Sequence, residues 1–110
     1  MLKAVSKENF KKEVIENTNL SVVQFKKEWS GACLIIEPLY RDVAGSYNGA
    51  VNFYTVDVDE EKRLDTEYGV VDIPTILFFK SGEVIDHIIG LVSKNVLTEK
   101  VENAITPFSK

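Results

Sequence analysis

The sequence predicts an α/β domain in which a mixed central sheet is covered by helices on both faces. Its 110 residues alternate between segments with helical spacing of apolar side chains and short runs rich in β-branched residues. Residues 51–58 are apolar apart from Asn52, Thr55 and Asp57, and residues 75–79 are apolar apart from Thr75. Such runs are typical of strands covered on both faces. Ser81 and Gly82 then form a turn into a returning strand, so the parallel units end in an antiparallel hairpin.

The first half of the chain contains two predicted strands and two predicted helices. Residues 2–5 form a short strand, and a helix over residues 6–17 has Ser6 as its N-cap. A strand over residues 20–25 leads into a long helix that contains Pro38, which we expect to kink it. The apolar stripe of this helix consists of Cys33, Ile36, Tyr40, Val43 and Tyr47, with Ile35 and Leu39 widening it.

The second half adds a short helix, a hairpin and a final helix. Asp59 is the predicted N-cap of a helix over residues 60–68. Residues 83–89 return antiparallel to the preceding strand, and Ser93 caps the last helix. No linker, repeat or low-complexity tract interrupts this order, so residues 1–110 are predicted to form a single domain.

Composition and charge limit the classes of partner. Hydrophobic residues make up 45% of the sequence, which is enough for a folded core. A net charge of −4 argues against nucleic acid and against an anionic membrane, because both attract basic proteins. The longest apolar run has five residues, and the N-terminus lacks the apolar core of a secretory signal. We therefore expect a cytoplasmic protein with no membrane partner, and we expect it to be a monomer.

The sequence contains one cysteine, Cys33, and one histidine, His87. A single thiol cannot close a disulfide within the chain, so a disulfide framework is excluded. A zinc site supplied by this chain alone is not expected either, because such sites need several Cys or His ligands. We predict no metal and no cofactor.

Three features occur in order along the chain. A strand leads into Trp29-Ser30-Gly31-Ala32-Cys33, and the helix that follows has a proline five residues after the cysteine. Later, Ile73-Pro74-Thr75 opens a strand, and Ile89-Gly90 precedes the last helix. Together these features resemble the thioredoxin family over nearly the whole chain. The resemblance implies the thioredoxin fold, with a cis peptide bond before Pro74.

The resemblance also implies a chemistry that this sequence departs from. Thioredoxins carry Trp-Cys-Gly-Pro-Cys at this junction, where the first thiolate attacks a disulfide and the second thiol resolves the mixed disulfide. The attacking position corresponds to Ser30, whose oxygen cannot form a disulfide, and Cys33 matches the resolving position. Ala32 replaces the proline of the motif, and Leu34 replaces a typical Lys or Arg.

A second departure concerns proton transfer. Gln24 stands where the family has a buried aspartate that helps to deprotonate the resolving thiol, so the proton-acceptor position is lost. Lys26 likewise replaces a tryptophan beside the active site. A serine introduced by an experimenter would leave this machinery intact, so the combined departures favour a natural loss of redox selection.

The binding surface of the family is the part that the sequence retains. In thioredoxins the residue before the cis-proline offers its backbone to an extended peptide. Here that residue is Ile73. We expect a shallow apolar groove, called below the cis-proline groove, lined by Trp29, Gly31, Ala32, Val58, Ile73, Pro74, Ile89, Gly90 and Leu91.

Different classes of function follow from the resemblance. The first is a redox-silent binding module that holds extended segments of a protein or peptide partner. The second is an enzyme, a monothiol disulfide oxidoreductase in which Cys33 acts with glutathione or the thiol of another protein. A third and weaker one is iron–sulfur ligation across a dimer, by one Cys33 from each chain together with glutathione. It is weaker because single-thiol relatives ligate the cluster from the first position of the motif, which is Ser30 here.

Several of these residues also have purely structural interpretations. Ser30 suits a helix N-cap, which we favour over catalysis because no histidine lies nearby in sequence. Cys33 is predicted to be a buried, small apolar side chain. His87 is predicted to be a solvated strand residue, and the acidic run at residues 57–61 to be a cap and first helical turn.

Overall fold

The structure, a computed structural model, describes residues 2–47 and 49–105. Five strands form one sheet: β1 (Leu2–Ala4), β2 (Ser21–Lys26), β3 (Asn52–Asp57), β4 (Thr75–Lys80) and β5 (Glu83–Ile89). Their order across the sheet is β1-β3-β2-β4-β5. β1 and β2 are parallel to β3, whereas β4 is antiparallel to both β2 and β5. The predicted mixed sheet is confirmed.

Helices cover both faces of this sheet. They are a π-helix (Lys11–Ile15) and three α-helices, α1 (Gly31–Tyr47), α2 (Leu64–Glu67) and α3 (Lys94–Ile105). The long helices α1 and α3 share one apolar core with the sheet, and the short π-helix and α2 share the other. The two faces are therefore covered unequally.

Side chains along β2 alternate between the two cores. Val22 packs with α1 and α3, and its neighbour Val23 packs with the π-helix and α2. In the first core the buried Tyr40 hydroxyl lies 2.9 Å from the Val22 carbonyl oxygen and 2.7 Å from that of Tyr54. Burial raises the pKa of Tyr40 well above its ordinary value. This hydroxyl ties α1 to β2 and β3.

The second core is centred on three aromatic rings. Phe10, Tyr68 and Phe79 contact one another with ring centroids 5.3 to 5.7 Å apart, two of the pairs edge to face. Phe10 precedes the π-helix and Tyr68 follows α2, so the rings join both short helices to β4. These large side chains compensate for the limited apolar face of helices only five and four residues long.

The prediction of a helix over residues 6–17 is wrong in extent. Ser6 does make the hydrogen bond of an N-cap, because its Oγ accepts the Asn9 N–H at 3.3 Å, and Asn9 Oδ1 accepts the Ser6 N–H at 2.7 Å in return. The residues that follow it, 7–9, form a turn and not a regular helix. The helix begins beyond this turn and is wide, because Glu16 N–H donates to Lys11 O at 2.9 Å.

The prediction of a helix over residues 60–68 is also wrong in extent. Asp57 rather than Asp59 caps the turn, since its carboxylate accepts the N–H groups of Asp59 at 2.9 Å and Glu60 at 3.4 Å. Arg63 then adopts φ 78°, which interrupts helical geometry and delays the start of α2. The acidic run is thus mostly turn.

The hairpin and the last helix follow the predicted local chemistry. Ser81 and Gly82 both have positive φ, 51° and 85°, as a two-residue hairpin loop requires. Ser93 Oγ accepts the Val96 N–H at 3.2 Å, which is the N-cap predicted for α3.

Candidate functional site

The strand register brings four chain segments to one end of the sheet. Lys26 at the end of β2 pairs with Asp57 at the end of β3. Thr75 at the start of β4 pairs with Phe25 on one side and with Ile89, the end of β5, on the other. The segments that follow β2, β3 and β5 and the segment that precedes β4 therefore meet there. All the residues predicted for the cis-proline groove lie at this end.

Backbone hydrogen bonds hold these segments together. The Ile73–Pro74 peptide bond is cis, and Gly90 N–H donates to Pro74 O at 2.8 Å. Gly90 adopts φ 86°, a conformation that side chains disfavour, so glycine suits this exit from β5. Val58 N–H donates to Lys26 O at 3.0 Å, which joins the turn after β3 to the end of β2.

Ser30 is the N-cap of α1. Its Oγ accepts the Cys33 N–H at 3.3 Å, and its carbonyl oxygen accepts the Leu34 N–H at 3.1 Å. Within the described part of the chain, the Ser30 hydroxyl has no hydrogen bond to a His, Asp or Glu side chain. His87 pairs with Leu77 in the middle of the β4–β5 hairpin and not at the end of the sheet where Ser30 lies. The geometry thus gives Ser30 a cap and no general base.

Cys33 lies in the first turn of α1 and is 5% exposed. It shares the sheet-facing stripe of the helix with the fully buried Ile36 and Tyr40. This burial disfavours reaction of the thiol with a disulfide, because exchange requires direct contact between sulfur atoms.

Gln24 lies on β2, two residues from Val22 and therefore on the face that α1 covers. It is 1% exposed, and its Nε2 has no hydrogen-bond partner among the described residues. A primary amide does not titrate in the physiological range, so it cannot accept a proton from a neighbouring thiol. The site contains a buried, unsatisfied donor at this position.

The rim of the groove is apolar and exposed. Trp29 is 87% exposed, and Ile89 and Leu91 are about half exposed on the other side of the buried Pro74. Ile35, predicted to widen the buried stripe of α1, is 58% exposed, and that prediction is wrong. With Leu34 it extends the exposed apolar surface along the first turns of α1.

Sequence reasoning missed a cavity of about 440 Å³ beside this site. We name it the β5 cavity, and it is lined by Tyr68, Gly69, Val70, Val71, Asp72, Thr75, Leu77, Val84, His87 and Ile89. His87 is exposed on β5, and it also lines this cavity. Alternation along β5 was a usable signal for His87 and Ile89, because it places these two side chains on the same face. It does not place Val84 there, because Val84 reaches this face only through the register shift of β5 opposite Phe78 and Phe79. Nor does alternation reveal that no described helix covers these side chains.

Residues 2–47 and 49–105 contain neither a cluster of metal ligands nor a membrane-spanning helix. No group of three His, Cys, Asp or Glu side chains converges there as a metal site. None of the helices described is long and apolar enough to cross a bilayer.

The sheet order, the cis-proline loop and the helix that starts beside it define a thioredoxin-like redox protein as a class. The thioredoxin family model matches residues 1–103. The chain belongs to the thioredoxin family.

Similar proteins agree with this assignment. The chain is 36% identical to thioredoxin of Rickettsia felis over 105 residues, which are 96% of this chain and 100% of that protein. It is 32% identical to thioredoxin 2 of Chlorobaculum tepidum over 98 residues, 89% of this chain and 90% of that one. It is 36% identical to the chloroplastic M-type thioredoxin of Spinacia oleracea over 103 residues, 94% of this chain and 57% of that protein.

Proposed function

We propose that this chain is a thioredoxin-like protein without disulfide exchange of its own, which binds extended protein segments at the cis-proline groove. The observation that carries the proposal is the N-cap of α1. At the helix start where the family places its attacking sulfur, this chain has the Ser30 oxygen, engaged with the Cys33 backbone. Its partner is a protein or peptide, and no cofactor takes part.

The chemistry of exchange explains why this position is decisive. A thiolate attacks one sulfur of a disulfide, forming a mixed disulfide and releasing the other sulfur as a thiolate. A second thiolate of the same protein then attacks the mixed disulfide, forming an internal disulfide and releasing the second substrate sulfur as a thiolate. The substrate is thereby reduced by two electrons, and the protein is oxidised by two. Ser30 cannot form the first bond, and a chain with one cysteine cannot form the last.

The surroundings of Cys33 support the same conclusion. Its burial keeps the sulfur from an incoming disulfide. Gln24, in the proton-acceptor position, offers an amide in place of a carboxylate. The loss therefore extends beyond the substituted cysteine.

The groove supports the binding half of the proposal. The residue before Pro74 leads into the start of β4, and exposed apolar side chains flank it on both sides. An extended segment that pairs with the Ile73 backbone would place alternate side chains on this rim. Such a site binds without needing a thiol.

A second candidate, a monothiol oxidoreductase, rests on the location of Cys33 in the first turn of α1. It requires glutathione or another protein's thiol as resolver and a sulfur that reagents can reach. We expect the reagent DTNB to label Cys33 slowly in the native protein and fully after denaturation. Fast labelling of the native protein would favour the monothiol enzyme.

A gain-of-function series tests the redox half of the proposal. In the insulin reduction assay with dithiothreitol, the unmodified protein should stay at background. Ser30→Cys should form a disulfide with Cys33 and restore partial activity, and adding Gln24→Asp should raise the rate about tenfold or more, because a proton acceptor returns. Ser30→Ala serves as the inactive control. Catalysis by the unmodified protein that Cys33→Ser abolishes would establish the monothiol enzyme instead.

A further inference from the structure

The β5 cavity lies between the turn that follows α2 and the outer strand β5. Its volume, about 440 Å³, lies within the range of pockets that hold ligands. The register places Leu77 opposite His87 and Thr75 opposite Ile89, so these four side chains form its floor. Tyr68 and Val71 form the opposite wall.

The cavity exists because the helical cover of this face is short. The π-helix has five residues and α2 has four, against seventeen in α1 and twelve in α3 on the other face. The short helices bury Leu77 and Phe79 of β4, but Val84 and His87 of β5 remain exposed. An apolar sheet face is left accessible at the edge of the sheet.

The lining has a distinct chemistry. Apart from His87 and the polar Thr75, it consists largely of aliphatic and aromatic side chains, with Val71 87% exposed. Asp72 is its one acidic residue, and no Lys or Arg is among the residues that line it in the described part of the chain. The site is therefore suited to an apolar group that has a positive charge beside it.

The cavity is continuous with the cis-proline groove. Asp72 immediately precedes Ile73, and Ile89 immediately precedes Gly90, so the two sites share these rims. An extended segment advances about 3.3 Å per residue, and a few residues beyond the groove bring it over β5.

We propose that the β5 cavity is a second anchor site for the protein segment held by the cis-proline groove. It takes one large apolar side chain, and Asp72 takes a Lys or Arg next to that side chain. This inference rests on the proposed binding function and adds to it the chemistry of the partner. The partner is an extended segment with two apolar anchors, the second of which is flanked by a basic residue.

Synthetic peptides of about ten residues test the inference. One series has Val as a single anchor in a Gly-Ser background. The second adds a Leu-Lys pair after about two to seven intervening residues. The fluorescence of Trp29, the one tryptophan in the sequence, measures affinity. Amide chemical shifts of Val58 report on the groove, and those of Leu77 and His87 report on the cavity.

We expect two-anchor peptides of one spacing to bind about tenfold more tightly than single-anchor peptides, the size of effect typical of one buried anchor. Val84→Arg should abolish the gain, and Ile85→Arg should preserve it. Both residues are 45% exposed on β5, but only Val84 lines the cavity. Val71→Glu provides a second blocking variant at an exposed position, and replacing the peptide Lys by Glu should weaken binding through Asp72.

The outcomes separate the two proposals. Shifts at Val58 with no affinity gain and no shifts at Leu77 or His87 at any spacing would overturn the second anchor and leave the groove intact. Shifts at Leu77 and His87 without change at Val58 or Trp29 would support the cavity and contradict the groove. A dimer that Val84→Arg dissociates would make this face a contact between two copies, and the inference would fail.

Discussion

At the scale of single residues, the N-cap of α1 places two demands on one side chain. The helix needs an oxygen that accepts the Cys33 N–H, and disulfide exchange would need a sulfur at the same place. Ser30 meets the first demand with a hydrogen bond of 3.3 Å. Under the proposed function, the side chain that lacks the attacking sulfur is therefore also the one that contributes to the start of the helix.

Replacing the cap should cost stability. We expect Ser30→Ala to lower the free energy of unfolding by about 1 kcal/mol, and Ser30→Gly by only a few tenths. Urea denaturation followed by circular dichroism measures both. Ser93→Ala, which removes the cap of α3, is the matched control and should show a similar loss. An Ser30→Ala protein as stable as the unmodified one would mean that this hydroxyl does not cap α1.

Replacing Gln24 with an apolar residue should not lower the free energy of unfolding, in contrast to replacing Ser30. Gln24→Met, which removes the unpartnered Nε2 and keeps a similar shape, should leave stability unchanged or raise it by about 1 kcal/mol. Gln24→Asp should lower it, because a carboxylate would be buried without a partner. Chemical denaturation of the two variants provides the comparison. A marked loss with Gln24→Met would show that the amide donates to a group we have not identified.

Predictions for single residues were most accurate where a local hydrogen bond determines the role of the side chain. Ser93 follows from the preference of serine for N-caps. The exposure of Ile35 was not predicted. Adjacent positions on a helix point about 100° apart, and the sheet covers only one side of α1, so Ile35 lies away from the core although Ile36 lies in it. Exposure depends on what the rest of the chain packs against, and a single-helix pattern does not contain that information.

At the scale of elements, the hairpin turn couples two parts of the chain. A Cβ on Gly82 would lie 3.1 Å from the Ile15 carbonyl oxygen, so the turn packs directly on the end of the π-helix. Gly82 has φ 85° as well, which disfavours any side chain there. The close approach to Ile15 and the backbone conformation therefore both disfavour a side chain at position 82.

Two glycine-to-alanine substitutions should therefore change stability in opposite directions. Gly82→Ala should lower the free energy of unfolding by about 1–2 kcal/mol through its left-handed backbone, and more through the contact with Ile15. Gly45→Ala, inside α1 with open space around it, should raise it by about 0.5–1 kcal/mol. Thermal unfolding of both variants measures the difference. Equal effects would contradict the packing of the turn on the π-helix.

Element order was predictable, and element length was not. The hydrophobic runs identified all five strands, since β-branched and aromatic residues concentrate there. The two short helices were overestimated, because the side-chain turn at Ser6 and the left-handed Arg63 replace helical hydrogen bonds with local ones. Small differences in free energy between a local turn and continued helix decide the outcome at such positions. The spacing of apolar residues does not reveal these differences.

At the scale of the whole molecule, the two long helices are joined near their ends. The Tyr47 hydroxyl of α1 donates to the Glu102 carboxylate of α3, and the Tyr47 ring stacks on Phe53. Partial burial, together with the hydrogen bond to Glu102, raises the pKa of Tyr47 to about 12. The neutral phenol is therefore favoured by the folded state.

Stability should decrease at alkaline pH for this reason. A tyrosine in the unfolded chain ionises near pH 10, so the contribution of Tyr47 is complete below about pH 10 and is lost as the pH rises toward 12. Tyr47→Phe should be less stable at neutral pH and should lose less stability between these values. Urea unfolding from about pH 8 to about pH 12 measures both slopes. Parallel slopes would show that Tyr47 does not supply this dependence.

The arrangement of the sheet was accessible from the sequence, and the β5 cavity was not. Parallel units followed by a hairpin are consistent with few sheet topologies. The lengths of the two short helices depend on the turns that precede them, one after Ser6 and one ending at Arg63. The extent of these turns was the feature that the sequence predicted least well. Val84 and His87 lie exposed on the sheet face that the two short helices share.

The outer strand β5 also bears on how copies of this chain meet. It is seven residues long, it has exposed Val84 and Ile85, and its free edge is a template on which another strand can add. Its register shifts where it passes Phe78 and Phe79, and Asp86 is paired with Lys100 of α3 at 2.9 Å. An irregular edge carrying a fixed charge is a poor seed for fibril growth, so the strand can remain uncovered without driving aggregation.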